Sequence, residues 1–223
     1  MIYKTELHAH SEECSECAHF PAEKVAEAYY DAGYTTLVLT NHFKRYETER
    51  IGSYERCAEM VFESAERAKR AAGDKLNVLA AVEIGLNKPR CDYLVYGATL
   101  EFLLEDRDLY NESVEELYRR TREIDAILIQ AHPFRDIGVP ASPEFLDGYE
   151  IRNGCNPKEL NDSAEELWRE NRNKAPIATS GTDYHSDFTP INSGIITEEP
   201  IVTMDQLKKV LRSGNYKLIG GEK

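Results

Sequence analysis

Short apolar runs alternate with longer amphipathic stretches along this chain, and that alternation most constrains what it can fold into. The runs Ile2–His10, Thr36–Thr40, Asn77–Glu83, Asp92–Tyr96, Ala126–Ala131, Tyr149–Asn153 and Pro176–Thr179 read as strands. A later short one covers Gly194–Thr197, and Tyr216–Ile219 closes the chain. Between them lie helical patterns. Pro21–Asp31 begins with proline in the first turn and stops before Gly33, and Tyr54–Ala72 stops before Gly73. Glu112–Glu123 is acidic at its start and basic near its end, which suits the helix dipole. Ser163-Ala164-Glu165-Glu166 reads as a capping box opening a helix to about Asn173. Thr203-Met204-Asp205-Gln206 reads as a second, with its helix ending at Gly214. About seven β/α repeats with no intervening linker predict an α/β fold, a barrel of parallel strands, with an open doubly wound sheet as the alternative. A length of 223 residues suits a single domain spanning the whole chain.

The formal charge of −13 repels a nucleic-acid backbone, so broad duplex binding is not expected. It equally repels any anionic substrate, which then needs a local positive centre such as clustered metal ions. No apolar run approaches membrane-spanning length, and Met1-Ile2-Tyr3-Lys4 lacks the apolar stretch of a signal peptide. The expectation is a cytoplasmic protein with no membrane partner. The five scattered cysteines fit a reducing compartment, and Cys14-x-x-Cys17 stands alone without the second pair of a structural zinc site.

Five of the six histidines fall at predicted strand ends. His8 and His10 end the first strand, His42 follows the second, and His132 follows Ala126–Ala131. His185 lies shortly after Pro176–Thr179, two residues beyond Asp183, and Glu83 ends its own apolar run. Parallel barrel strands all end on one face, so seven metal-competent side chains converge there. The alternation of a strand puts His8 and His10 on the same side. A carboxylate within an apolar run, as at Glu83, is costly unless it is paired or metal-bound. Imidazole and carboxylate donors suit zinc, manganese or iron, and seven exceed what one tetrahedral ion takes. The expected cofactor is therefore two or three divalent ions sharing a bridging carboxylate, a device that clamps phosphoryl oxygens and generates hydroxide near neutral pH.

In order along the chain, Leu7-His8-Ala9-His10-Ser11, Thr40-Asn41-His42, Ala81-Val82-Glu83, Ala131-His132-Pro133 and Ser180-Gly181-Thr182-Asp183-Tyr184-His185 resemble the motifs of the PHP (polymerase and histidinol phosphatase) domain. The resemblance covers nearly the whole chain. It implies a distorted (β/α)7 TIM-like barrel, a centre of up to three metal ions, and hydrolysis of a phosphate ester on a small phosphorylated substrate. Carried over by motif, His8, His10, Glu83 and Asp183 would hold one ion. Glu83 and His132 would hold a second, and His42 and His185 a third. Glu83, Asp183 and His185 are the candidates for catalysis. Two positions depart from the pattern. Where phosphatase members carry His or Asp in the loop after H-x-H, straight register puts Glu16 here, while Glu13 or Cys17 could reach by another loop path. Where members tend to have His after the fourth strand, Thr99 stands here, with Glu101 close by. A C–N bond hydrolase and a non-catalytic metal-binding accessory domain are the rival readings.

Cations near the expected mouth are few. Arg135, three residues after His132, and Arg152 with Asn153 at a strand end are the candidates for substrate binding, since guanidinium suits bidentate contact with phosphate. The alternative for Arg135 is a pair with Asp136 or another acid. Lys44 and Arg45 read as a solvated loop, and His19 as a surface or capping residue. The stripe Val25, Ala28, Tyr29 and Ala32 reads as core packing.

Overall fold

The computed structural model describes residues 2–105, 108–135 and 138–220, so Met1 and Asp136 lie outside the described residues. The chain opens with β1 (Tyr3–Ala9), crosses through α1 (Ala22–Asp31), and returns as β2 (Thr36–Leu39) parallel to β1. The next strand is broken off from β2 at Thr40-Asn41 and resumes as β3 (His42–Phe43). Two helices follow, α2 (Arg45–Ile51) and α3 (Tyr54–Ala72), the latter capped by the Ser53 side chain, which accepts from the Arg56 amide. A second broken run forms β4 (Asn77–Ala80) beside β2 and β5 (Val82–Asn87) beside β3. Amides bridge the breaks: Ala81 donates to the Leu39 carbonyl at 2.9 Å and Glu83 to that of Asn41 at 3.1 Å.

β6 (Arg90–Tyr96) is antiparallel to both β5 and β7 (Ile127–Gln130), so the expected all-parallel barrel carries one reversed strand. The cause is the link. Only Lys88 and Pro89 separate β5 from β6, enough for a hairpin and far too little for a crossover. After β6 come α4 (Leu100–Glu105) and α5 (Val114–Glu123), the second opened by a Ser113–Glu116 capping box. Then β8 (Gly148–Asn153), α6 (Lys158–Asn171) and β9 (Ile177–Gly181) continue in parallel from β7. The predicted capping box at Ser163 is not a helix start. α6 begins at Lys158, directly after Pro157, and the Ser163 hydroxyl donates instead to the Glu159 carbonyl within the helix.

The strands thus follow chain order around a ring, with no reversal of order as in a doubly wound sheet. The ladder is not continuous. β10 (Gly194–Thr197) pairs antiparallel with the first half of β1, β11 (Lys217–Ile219) pairs with β10, and α7 (Met204–Ser213) lies between them in sequence. The Thr203–Gln206 capping box and a left-handed Gly214 bound α7 as the sequence predicts. Among the described residues, the chain just past β9 closes on the end of β1 through an Ala9–Tyr184 bridge, beside which the Asp183 amide donates to the His8 carbonyl at 2.7 Å. Gly181 permits this approach, because a Cβ there would stand 2.3 Å from the His8 Cβ. Leu7, Val38, Leu94, Ile127 and Ile129 pack in one cluster, and Val25 and Tyr29 of α1 pack with Leu37, Leu39 and Ala65 in another. Runs such as β2 and β7, buried at every residue, show no alternation because strand faces are covered on both sides. Among the described residues, no helix is long and apolar enough to cross a membrane.

Candidate metal centre

The closing bridge lies at the ends where β1, β3, β5, β7 and β9 deliver their polar residues. His8 and His10 come from the end of β1, His42 begins β3, Glu83 sits second in β5, His132 follows β7, and Asp183 and His185 follow β9. All seven converge. His8, His10, Glu83 and Asp183 are at most 1% exposed, and His42 and His132 are 8% exposed. Among the described residues, donor atoms within 4.8 Å of one another form four overlapping groups: His8, His10 and Asp183; His8, Glu83 and His132; His10, His42 and His185; and Cys155, Asp183 and His185, whose cysteine the sequence reading did not include. Glu83 Oε1 lies 3.1 Å from His132 Nε2 and its Oε2 lies 2.9 Å from His42 Nε2, so this carboxylate stands between groups. Asp183 Oδ1 lies 3.0 Å from His10 Nε2 and 3.4 Å from His8 Nε2.

Two of these residues sit in backbone conformations that side chains seldom adopt. His132 has φ of 27° and Asp183 has φ of 56°. Such conformations cost of order 1–3 kcal/mol each and persist where surrounding structure enforces them.

Two buried acids hold the cluster from behind. Glu150 Oε1 is 2.9 Å from His8 Nδ1, and its Oε2 accepts from the His132 amide at 3.1 Å and from Asn153 Nδ2 at 2.8 Å. Glu6 Oε1 accepts from the amides of His8 and Thr182, both at 2.8 Å, while its Oε2 accepts from the hydroxyls of Tyr29 and Thr182. Burial raises the Glu6 carboxyl to about 7, against the lowering effect of those hydrogen bonds. The sequence reading missed both acids. Period-two alternation from His8 and His10 back to Glu6 was the available signal for one, and an acid inside a predicted strand was the signal for the other.

The electrostatics keep the two carboxylates ionised, while the same acids hold protons on some of the imidazoles. Against the lowering effect of burial, His42 is raised to about 10 and His185 to about 9, with Glu83 and Cys17 among the groups that raise the first and Cys155 and Cys17 among those that raise the second. Burial opposes ionisation of Glu83 and Asp183, but Lys44 and His42 around the first, and His8, His10 and Arg135 around the second, keep both well below the usual carboxylate range. Burial, followed by His42 and His185, lowers His10, which is held neutral. His8 is raised despite its burial, because Asp183 and Glu150 face it. A cation placed there satisfies the same carboxylates that favour the proton. Two atoms make the fit specific. His8 Nε2 and Glu83 Oε2 are buried side-chain atoms without a hydrogen-bond partner among the described residues, though other ionic groups lie close. Buried lone pairs aimed into a cluster of imidazoles and carboxylates suit a divalent cation.

The remaining candidates divide. Arg135 borders the cavity over the cluster, but its NH1 lies 2.5 Å from Asp183 Oδ2, with NH2 on Asn153 Oδ1 at 2.6 Å and Nε on Asn156 Oδ1 at 2.9 Å. Asn153 belongs to the same network and also donates to Asp183 at 3.2 Å. Arg152 does not reach the cluster: it pairs with Glu165 and lines a separate cleft. Adjacent strand residues point apart, and a bulge between Glu150 and Arg152 brings Asn153 round to the Glu150 side. Lys44 is not a solvated loop residue. Its ammonium lies 3.1 Å from both Glu83 Oε2 and Asp92 Oδ2. Asp92 stands here because β6 is reversed, and for the same reason Thr99 is away from the site, where its hydroxyl accepts from the Phe102 amide.

Neither loop acid joins the cluster. Glu13 Oε1 accepts from the Ala22 amide at 3.2 Å and lies 3.2 Å from Arg67, and the Glu16 carboxylate accepts from the Tyr46 hydroxyl. Cys17 does border the cavity, on whose lining His42 and His185 also lie. Burial raises that thiol, yet the two imidazoles outweigh it and bring it to about 6. Cys14 instead turns inward toward the Cys57 carbonyl, so the C-x-x-C does not act as a pair. His19 is exposed, its amide donating to the His185 carbonyl at 2.8 Å.

No family model matches the chain, and no curated sequence matches it. Solved structures do. A two-domain protein from Bacteroides vulgatus containing a predicted PHP-like metal-dependent phosphoesterase aligns with 98% of the chain at a TM-score of 0.68 and 14% identity. A lesion-specific endonuclease from Pyrococcus furiosus aligns with 98% at 0.62 and 15% identity. An amidohydrolase from Chromobacterium violaceum with bound sulfate aligns with 96% at 0.60 and 12% identity. The chain spans 64% of the first, 58% of the second and 97% of the third. At identities this low the likeness is one of fold, and the fold is the distorted barrel of the PHP-like metal-dependent phosphoesterases.

Proposed function

We propose that this protein is a metal-dependent hydrolase of phosphate esters, with two or three divalent ions held by His8, His10, His42, Glu83, His132, Asp183 and His185. The observation that carries the reading is the overlap of three donor groups through shared His8 and His10, with Glu83 standing between His132 and His42. When bound, such ions polarise a phosphoryl group and make water a nucleophile near neutral pH.

The chain's own residues supply the rest. A cavity of about 370 Å³ opens over the cluster, lined among others by Lys44, Arg90, His132, Arg135 and His185. That size suits a small phosphorylated molecule. In a chain of charge −13, Lys44, Arg90 and Arg135 border this opening opposite Glu83, Asp92 and Asp183, so with metal cations on the acids the lining would favour an anionic substrate. Arg135 carries further N–H groups beyond those given to Asp183, Asn153 and Asn156, and guanidinium orients phosphate oxygens well. His185 has the most exposed imidazole of the cluster. Its Nδ1 is 2.8 Å from the Asp183 carbonyl, which fixes Nδ1 as the donor, so Nε2 is the atom that would face a cation. Asp183 and Glu83 supply the negative charge that holds the cations.

The test is elemental analysis of protein reconstituted with zinc, manganese or iron, followed by a panel of phosphate monoesters, diesters and amides. At least two ions per chain with turnover of a phosphoester is expected. Well below one ion per chain would end the metal reading. Turnover confined to amides would move the protein to C–N hydrolysis, and retained metal with no turnover would favour an accessory role.

A further inference from the structure

We infer that the Lys44 ammonium is a resident cation of the centre, supplying the charge that a third divalent ion would bring, so that the loaded protein holds two ions. The inference rests on the metal reading above and concerns how many positions the ions fill.

The ammonium sits in a built seat. Its Nζ lies 3.1 Å from Glu83 Oε2 and 3.1 Å from Asp92 Oδ2. Strand pairing sets this up. Phe43, the residue before Lys44, pairs with Ile84, and Gly85 pairs with Asp92 across the β5–β6 hairpin. Glu83, Gly85 and Asp92 therefore share one face of the sheet. Gly85 keeps the path of the lysine open: a Cβ there would stand 2.7 Å from Lys44 Cγ and 3.0 Å from Asp92 Oδ1. The stem thus crosses β5 over a residue with no side chain, and its end reaches between the two acids.

That seat is filled at the expense of the outer position. Glu83 Oε2 also lies 2.9 Å from His42 Nε2, so it is the acid oxygen that an ion among His10, His42 and His185 would use. That outer group consists of three imidazoles and has no carboxylate of its own. Glu13 and Glu16 are tied to Arg67 and Tyr46, and Glu47 faces the other nitrogen of His42, at 3.7 Å, while pairing with Arg50. An ion in the outer group would meet the ammonium across one shared oxygen, and like charges so close repel. The inner groups keep their acids. Asp183 Oδ1 is 3.0 Å from His10 Nε2 and 3.4 Å from His8 Nε2, and Glu83 Oε1 is 3.1 Å from His132 Nε2. Two ions at these groups use both carboxylates, and Lys44 brings the remaining charge. An ammonium has three donors and the two acids take two, so one N–H is left for the cavity that Lys44 borders.

Counting ions tests the assignment. Wild-type protein loaded with zinc and passed over a chelating resin should carry two ions per chain by elemental analysis and native mass spectrometry. Lys44→Ala frees Glu83 Oε2 and Asp92 and should carry three. Lys44→Arg keeps the charge and should stay at two. Lys44→Ala combined with His42→Ala should return to two, which places the extra ion at the outer imidazoles. Circular dichroism of each zinc-loaded variant checks that the fold is kept. Three ions in the wild type overturn the inference with no variant needed. An unchanged count in folded Lys44→Ala, a gain in Lys44→Arg, or three ions in the double variant overturns it equally. A wild-type count well below one ends the metal reading itself, a distinct result.

Discussion

Glu150 Oε1 lies 2.9 Å from His8 Nδ1, while the other nitrogen of that ring points between Glu83 and Asp183. A carboxylate on Nδ1 fixes the tautomer and leaves the Nε2 lone pair for a cation. Glu150→Gln should therefore weaken metal binding roughly 10- to 100-fold, the usual cost of losing such a partner. The amide also turns an N–H toward one of the donors that the carboxylate now accepts from, His8, the His132 amide and Asn153. Competition with a chelator measures the affinity, and an unchanged value refutes the role.

Glu83 should behave differently. It stands between His132 and His42, so its charge balances more than one cation. Glu83→Gln is isosteric and should keep the fold while losing bound metal and nearly all activity. Normal metal content in this variant would make the carboxylate structural only.

Glu6 accepts from the His8 backbone rather than its ring, and it ties β1 to the turn that carries Asp183. Removing it by Glu6→Ala leaves the amides of His8 and Thr182 and the hydroxyls of Tyr29 and Thr182 without their acceptor. Each buried unsatisfied donor costs about 1–3 kcal/mol. A loss of at least ~3 kcal/mol in denaturant unfolding is expected, and a change below ~1 kcal/mol would show that the site relaxes around the gap.

Lys44 holds Glu83 and Asp92 together at 3.1 Å each. Lys44→Met leaves both acids facing each other with no ammonium. The protein stripped by chelator should lose about 1–3 kcal/mol, below the full cost of breaking a buried pair because the ammonium end is partly open to water. Added zinc should shrink that deficit, since cations on Glu83 replace the lost charge. An equal deficit with and without zinc would disconnect Lys44 from the centre.

What could be read in the sequence, and what could not, follows from which interactions are local. The histidines, Glu83 and Asp183 were legible because each follows or ends an apolar run, and parallel strands bring such ends together. The reversal of β6 was not, because strands buried on both faces have no alternation and periodicity carries no direction. Only the two-residue link at Lys88-Pro89 signalled a hairpin. Misplacing that strand put Thr99 at the site and hid Asp92. Lys44 looked solvated because its partners lie far along the chain, at positions 83 and 92. Arg152 and Asn153 look alike in sequence at a strand end, although neighbours on a strand face apart and a bulge, invisible to pattern, selects Asn153. Glu16 matched by register, but loop path is set by local contacts such as Tyr46 and Glu47.

Arg135 is the cation whose role separates substrate binding from scaffolding. Its guanidinium already contacts Asp183, Asn153 and Asn156, so it positions a candidate ligand. It also borders the cavity, and its planar fork retains donors that one phosphate could take. The two roles predict different kinetics. If Arg135 binds phosphate, Arg135→Lys keeps a charge near Asp183 and so keeps metal, but it loses parallel donors to two oxygens. The expected loss in kcat/KM on phosphoesters is about 1.5–3 kcal/mol, the scale of one charged hydrogen bond, or roughly ten- to a hundredfold. If Arg135 only positions Asp183, Arg135→Ala should shed metal, and restoring occupancy with excess zinc should restore turnover. Steady-state kinetics at saturating metal therefore decide. A deficit that persists in both variants at full occupancy assigns Arg135 to the substrate, and recovery of kcat/KM in both leaves it a support for Asp183.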